Sequence, residues 1–280
     1  MEPVSESTLG DVVLMGSLMV KGKNKQPNVE IDLDKYEAAI LDMDGVVTDT
    51  ARAHAASWKQ MFDAYLKEHS AKRGWRYKAF DDIKDYYRYI DGKLRYQGVA
   101  SFLESRGIVL PYGNPDDPPD KETVCSLGNR KNRFFHDYLK ENGAKAYQST
   151  IEFLQNLKNR KIATAVISSS RNAKAVLTAA GVQELFQVMV DGVYGAEHNL
   201  KGKPEPDIFL EAARQLNVAP ETVLVIEDSI SGVEAAKKGG FGLIIGIDRT
   251  GRNTEIKNHG ADLVVTDLSE IRSEKHEYPS

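Results

Sequence analysis

Apolar residues along the chain follow two rhythms. In the first, short, largely apolar runs of strand length end at polar or turn-forming residues: Ala38 to Met43, Ile162 to Ile167, Val188 to Val190, Val223 to Ile226, Leu243 to Ile247 and Leu263 to Val265. Such runs predict strands buried on both faces of a parallel sheet. Amphipathic helical stretches separate most of them, with Gly181 and Gly239 as stops, and Ser149 with Glu152 predicts a capping box ahead of Phe153, Leu154 and Leu157. Repeated strand–helix alternation predicts an α/β fold, a parallel sheet with helices on both faces.

The second rhythm interrupts the first. Trp58, Met61, Phe62, Tyr65 and Leu66 recur at i, i+3, i+4, i+7 and i+8, one apolar face of a helix. Val99, Phe102 and Leu103, closed by Gly107, predict a short helix, and Phe134, Phe135, Tyr138 and Leu139 a last one; Pro111 to Pro119 is a proline, glycine and aspartate loop. The aromatics between them (Trp75, Tyr77, Phe80, Tyr86, Tyr87, Tyr89, Tyr96, Phe102) are expected in a core. The division predicted is a core of 35–51 and 144–272, a helical insertion of 52–143, an N-terminal extension of 1–34 and a tail of 273–280. The apolar stretch Val12 to Val20 contains Gly16 and lacks a basic leader, which predicts a docked or frayed extension rather than a signal peptide. Lys21 to Lys25 predicts a solvated linker.

Composition narrows the partners. The 280 residues are 41% hydrophobic and 28% charged, with a net charge of -4, so no global basic field exists for nucleic acid or an anionic membrane. No run approaches the roughly 18 apolar residues of a membrane span. Cys125 is the only cysteine, which rules out an internal disulfide and a thiolate metal site and fits a reducing cytoplasm. A monomer is expected.

The chemistry concentrates at the ends of the apolar runs. Asp42 and Asp44 close the first run, ahead of Gly45, and residues i and i+2 of an extended segment point to one side. Two acids so placed repel unless a cation lies between them, and oxygen ligands suit magnesium. Asp-x-Asp-Gly is also common turn chemistry, so it carries weight only in company. The company is there. Ile167 runs into Ser168-Ser169-Ser170-Arg171-Asn172, Lys203 precedes the Pro204-Glu205-Pro206 turn into a helix, and Ile226 runs into Glu227-Asp228-Ser229. Hydroxyls at a strand end ahead of a helix suit a phosphoryl oxygen, and equally an N-cap. A lysine beside a phosphorylated aspartate would neutralise developing charge.

The run from Asp42 to Thr50 resembles the first motif of the haloacid dehalogenase superfamily, and the serine, lysine and acidic pair follow in that superfamily's order. The resemblance implies a Rossmann-like core with an inserted all-helical cap. It implies Asp42 as nucleophile, carrying an aspartyl phosphate, and Asp44 as general acid/base. It implies Mg2+ held by Asp42, the Asp44 backbone, Asp228 and Glu227, with Ser168 and Lys203 holding the transferring group. From about residue 35 to 250 the chain looks like the β-phosphoglucomutase group. Thr50 is followed by His54 and Trp58, Ser170-Arg171-Asn172 matches its Ser-Lys-Asn, Arg130-Lys131-Asn132 matches a cap Arg-Lys-Asn, and Gly92-Lys93-Leu94-Arg95 loosely matches its substrate loop. By that likeness His54, Trp58, Gly92, Arg95, Lys131, Asn132, Ser170, Arg171 and Asn172 face a phosphorylated sugar, and a hinge lies near Thr50 and Gly143. The activity implied is conversion of β-D-glucose 1-phosphate to glucose 6-phosphate through a bisphosphate, or alternatively a magnesium-dependent phosphatase on small phosphate esters. The departures are Lys93 and Arg171 in place of the group's residues, the longer cap segment 111–123 and the N-terminal extension.

Overall fold

A computed structural model describes residues 29–273; the Val12 to Val20 stretch, the Lys21 to Lys25 linker and residues 274–280 lie outside the described residues. The chain begins with β1 (Val29–Ile31) and β2 (Ala38–Asp42), then passes through α1 (Ala51–Arg73), α2 (Lys84–Tyr89), α3 (Arg95–Ser105) and α4 (Val124–Asn142). An alternating series follows: α5 (Gln148–Asn159), β3 (Ala163–Ile167), α6 (Ala173–Ala179), β4 (Val188–Val190), α7 (Gly192–Glu197), α8 (Asp207–Leu216), β5 (Val223–Glu227), α9 (Ile230–Gly239), β6 (Leu243–Ile247), α10 (Asn253–Asn258), β7 (Leu263–Val265) and β8 (Ile271–Ser273).

Six strands form one parallel sheet in the order β4-β3-β2-β5-β6-β7. All five residues of β2 are buried, as are all five of β5. The alternation is two-sided: Ala39 and Leu41 enter one apolar cluster with α5 and α6, while Ala38 and Ile40 enter another with α8, α9 and α10. A period of two with both faces covered is why these strands read as largely apolar runs. Strand order reverses at β2, with β3 and β4 on one side and β5 to β7 on the other. That reversal is where open α/β sheets leave a crevice at their carboxyl ends.

The helices α1 to α4 have a core of their own, in which Phe62 stacks near Phe80 and Phe102 at centroid distances of 5.1 and 4.2 Å. The insertion is rooted in the sheet domain, because Ala53 of α1 and Phe135 of α4 belong to the cluster of α5 and α6. Among the described residues, no helix is long and apolar enough to cross a membrane.

Ahead of residue 35, β1 pairs in parallel with β8, and Ile31 and Leu33 join the apolar cluster of α5 and α6. Three sequence expectations are corrected here. Ser149 and Glu152 do not cap α5, whose N-cap is Tyr147; Ser149 already lies inside the helix and donates to Asp267 Oδ2 at 2.8 Å. Helix α9 is stopped by Gly240 in the left-handed conformation, with Gly239 its last helical residue. The aromatics of the insertion are not all core: Trp75 and Tyr77 are exposed, while Tyr86 and Tyr96 pack on its core and also line the cleft.

Candidate active site

The sheet's strand ends set the floor of the site. Asp42 is the last residue of β2 and is aligned with Ile167 of β3, so Ser168 follows on one flank; Leu41 is aligned with Ile226 of β5, so Glu227 and Asp228 follow on the other. Lys203, from the turn ahead of α8, reaches under both: its Nζ donates to Asp42 Oδ1 at 2.6 Å and to Glu227 Oε1. Glu227 Oε2 accepts from the Ser229 N–H at 2.6 Å. Gly45 has φ of +85° and a Cβ there would lie 1.9 Å from Asp228 Oδ2, so only glycine lets this carboxylate lie across the loop that follows β2.

Asp44 stands above this floor. Thr50 Oγ1 donates to its Oδ1, Ser168 Oγ donates to its Oδ2 at 3.4 Å, and His54 Nε2 stands 3.4 Å from Oδ1. Lys131 Nζ is 2.8 Å from His54 Nδ1, which places the ring proton on Nε2, facing Asp44. Burial would raise the Asp44 carboxyl, but His54, Thr50 and Lys131 outweigh it and hold it below its ordinary value.

The insertion supplies the roof. Lys131, on α4, is buried over the Trp58 and Phe135 rings at 5.3 and 4.6 Å. Asn132 Oδ1 accepts from Arg95 Nη2 at 2.9 Å and from Asn172 Nδ2 at 2.7 Å, a bridge from α3 through α4 to the turn ahead of α6. Between floor and roof lies a cavity of about 310 Å3, lined by Asp42, Asp44, Arg95, Lys131, Arg171 and Lys203 among others.

Known proteins match this chain over most of its length. The family model of haloacid dehalogenase-like hydrolases matches residues 36–240. The chain belongs to this family. It is 46% identical over 241 residues to a β-phosphoglucomutase of Mycobacterium tuberculosis, covering 85% of this chain and 92% of that one. It is 32% identical over 211 residues to a phosphorylated carbohydrates phosphatase of Thermotoga maritima, covering 75% and 85%. The solved β-phosphoglucomutase of Clostridium difficile superposes with a TM-score of 0.67 at 25% identity, covering 85% and 93%. The chain is therefore a phosphoryl-transfer enzyme of the haloacid dehalogenase superfamily.

Nearly every residue singled out from the sequence lies at this one cleft, though not always as expected. Ser168 is buried with its hydroxyl turned between Asp44 and the Ser170 N–H, while Ser169, Ser170, Arg171 and Asn172 line the cavity. Ser170 Oγ accepts from the Asn172 N–H at 3.1 Å. Gly92 lines the cleft at the rim of the insertion, and its carbonyl accepts from Ser169 Oγ at 3.0 Å. Thr50 sits at the N-cap of α1 without capping it, its hydroxyl being given to Asp44. Glu227, expected among the metal ligands, has both oxygens engaged by Lys203 and the Ser229 N–H, because it is the partner that fixes the buried lysine. Sequence reasoning missed Asp91, Tyr112 and Pro115 in the cleft and the turn 248–252 beside it. The signal for that turn was the one used elsewhere, since Asp248 ends the buried run Leu243 to Ile247.

The donors at the floor fit a magnesium ion. Burial, with repulsion from Glu227 and Asp44 and in spite of Lys203, pushes Asp42 up to about 8. Burial and then Glu227, Asp91 and Asp42 push Asp228 well above its ordinary value. Lysine Nζ alone does not balance this much negative charge. Among the described residues no three acidic or imidazole side chains form a ready-made cage. Two carboxylates, Asp42 and Asp228, with a backbone carbonyl and waters are the kind of set magnesium accepts.

Proposed function

We propose that this enzyme is a phosphosugar mutase of the β-phosphoglucomutase type, converting β-D-glucose 1-phosphate to glucose 6-phosphate through a bisphosphate intermediate. The observation that carries the reading is the cationic lining: Arg95 and Lys131 from the insertion and Arg171 from the turn ahead of α6 line the same cavity as Asp42. That gives one phosphate a place to be held while a second reacts. The 46% identity to a protein named β-phosphoglucomutase supports it.

The roles follow from position. Once Asp42 carries a phosphoryl group taken from the bisphosphate, the 6-hydroxyl of glucose 1-phosphate attacks that phosphorus as the bond to Asp42 breaks, giving the bisphosphate. Asp42 then attacks the phosphorus at C1 as the bond to the C1 oxygen breaks, releasing glucose 6-phosphate and restoring the phosphorylated Asp42. Asp44 takes the proton of the attacking 6-hydroxyl in the first step and gives it to the departing C1 oxygen in the second. His54, with Lys131 behind it, fixes where Asp44 points. Lys203 stabilises charge on Asp42, and Glu227 holds Lys203 in place. Asp42, the Asp44 backbone and Asp228 would hold magnesium, which when bound offsets phosphate charge and aligns the nucleophile. The helical insertion acts as a cap that excludes water, turning about a hinge near Thr50 and Gly143.

The 32% identity to a protein named as a phosphatase favours a second reading, in which water takes the place of the sugar hydroxyl. Incubation with β-glucose 1-phosphate, magnesium and a trace of glucose 1,6-bisphosphate separates the two. Glucose 6-phosphate without free phosphate is expected; stoichiometric release of phosphate and glucose would replace the mutase with the phosphatase.

A further inference from the structure

The turn between β6 and α10 shares no motif with the cleft, yet it touches the insertion at both ends. Asp248 builds the turn, its Oδ1 accepting from the Thr250 and Gly251 N–H groups at 2.8 Å each, and Thr250 Oγ1 accepts from Arg252 Nε at 3.0 Å. Two arginines leave this ordered turn in different directions. The Arg249 guanidinium lies 3.6 Å from the centroid of Tyr147, and its Nε donates to the Gly45 carbonyl at 3.1 Å. Tyr147 stands where the chain returns from the insertion, and its hydroxyl donates to Asp49 Oδ1 at 3.0 Å. The Arg252 guanidinium lies 3.6 Å from the centroid of Tyr87, with Nη2 4.0 Å from Asp91 Oδ2. Tyr87 is in α2 and Asp91 is in the rim that joins α2 to α3. One turn of the sheet domain therefore clasps the insertion at its root and at its rim.

The rim rests on the core through hydroxyls as well. Ser231 Oγ donates to the Asp91 carbonyl at 3.2 Å and Ser169 Oγ to the Gly92 carbonyl at 3.0 Å. Gly92 has φ of +70°, and a Cβ on it would lie 1.9 Å from Ser231 Oγ, so the approach is as close as backbone allows. Three residues beyond Gly92, Arg95 opens α3 and reaches Asn132.

We propose that Arg252 is a positioning residue that seats the 87–92 rim on the sheet domain and thereby sets Arg95 over the cleft. The inference rests on the reading of Arg95 as a phosphate ligand under a closing cap. Its geometry demands arginine, because a planar guanidinium stacks on a tyrosine face while keeping donors for a carboxylate, and a lysine ammonium does not do both.

Hydrogen–deuterium exchange and steady-state kinetics on the full chain test it. Arg252→Ala is expected to speed amide exchange across 84–94 while leaving β2 and β5 unchanged. It should raise KM for β-glucose 1-phosphate about tenfold with kcat within about threefold. Arg252→Lys should recover less than half of the exchange protection. Tyr87→Leu should reproduce Arg252→Ala, with the double variant no worse than either single one. Unchanged exchange at 84–94 in Arg252→Ala, or fully additive effects of the Arg252 and Tyr87 substitutions, would overturn the proposal. If the wild-type enzyme fails to convert the sugar phosphate, the substrate reading falls, and the exchange result alone decides whether Arg252 seats the rim.

Discussion

The floor and the roof of the cleft carry opposite imbalances. At the floor, burial and mutual repulsion push Asp42 up to about 8 and Asp228 well above its ordinary value. At the roof, burial and the nearby Arg95 take Lys131 well below its ordinary value, and burial lowers His54 and Arg95 as well. In both halves burial is the leading cause, and like-charged neighbours add to it: carboxylates below, cationic side chains above. A metal-bound phosphate ester presents the complement to both faces at once, cation to the floor and anionic oxygens to the roof. On the proposed function the two halves do different work, chemistry below and grip above, so substitutions in them should fail differently.

The floor should fail completely. Asp42→Asn removes the proposed nucleophile while keeping shape, so transfer should fall by about 10^4-fold or more, as for other enzymes stripped of a nucleophile. Labelled phosphate trapped by rapid denaturation should appear on the wild-type chain and not on the variant. Label on the variant would move the nucleophile elsewhere. Lys203→Met should damage the fold as well as the reaction. It leaves the buried Asp42 and Glu227 without their common cation. Removing one partner of a buried pair costs about 3–5 kcal/mol, which urea unfolding would read as a lower midpoint. A midpoint unchanged from wild type would show that the pair is not held as described.

The contrast also explains what could be read without a structure. Asp42, Ser168, Glu227 and Asp228 each follow a largely apolar run, and a strand buried on both faces leaves little doubt about where it ends. Their meeting is then a matter of sheet order. The roof has no such landmark. Arg95, Lys131 and Asn132 sit on amphipathic helices where a charged residue facing a cleft looks like one facing water; only the resemblance to a family singled them out. Arg252 and Asp91 were invisible because their partnership joins a turn of the sheet domain to a rim 161 residues earlier, a tertiary contact with no local period. Ser149 misled for a related reason, since its hydroxyl satisfies Asp267 across the molecule rather than its own helix.

The roof should fail by degrees. Arg95→Ala removes a donor from the bridge to Asn132 and, on the proposed reading, from the second phosphate. A hydrogen bond to a charged group is worth about 1.5–3 kcal/mol, roughly ten- to hundredfold in kcat/KM for the sugar phosphate. Hydrolysis of acetyl phosphate, which has no second phosphate to grip, should stay within about threefold of wild type. Equal losses on both substrates would erase the distinction between the halves.

The smallest effect expected is a matter of pH, in the loop 111–123 that brings Tyr112 and Pro115 to the edge of the roof. Asp117 holds this loop together, Oδ1 accepting from Lys121 Nζ at 2.6 Å and Oδ2 from Thr123 Oγ1 at 2.8 Å and the Asn114 N–H at 3.0 Å. These donors, Lys121 first, lower its carboxyl to about 2 from an ordinary 3.8. A carboxyl held lower in the folded state than in the unfolded one stabilises the fold fully above the unfolded value, and the contribution drains away as pH falls through the folded one. The stability gap between wild type and Asp117→Asn should thus be constant from neutral pH down to about 4 and close between there and about 2. Urea midpoints across that range would measure it, and proteolysis within 111–123 would locate it. A gap that persists at pH 2 would mean that the asparagine disrupts the loop by shape rather than by charge. Because the loop belongs to the roof, acetyl phosphate turnover at neutral pH should not distinguish Asp117→Asn from wild type. A variant slowed on that small ester would show that the loop reaches the floor, and the division of labour between the two faces would have to be redrawn.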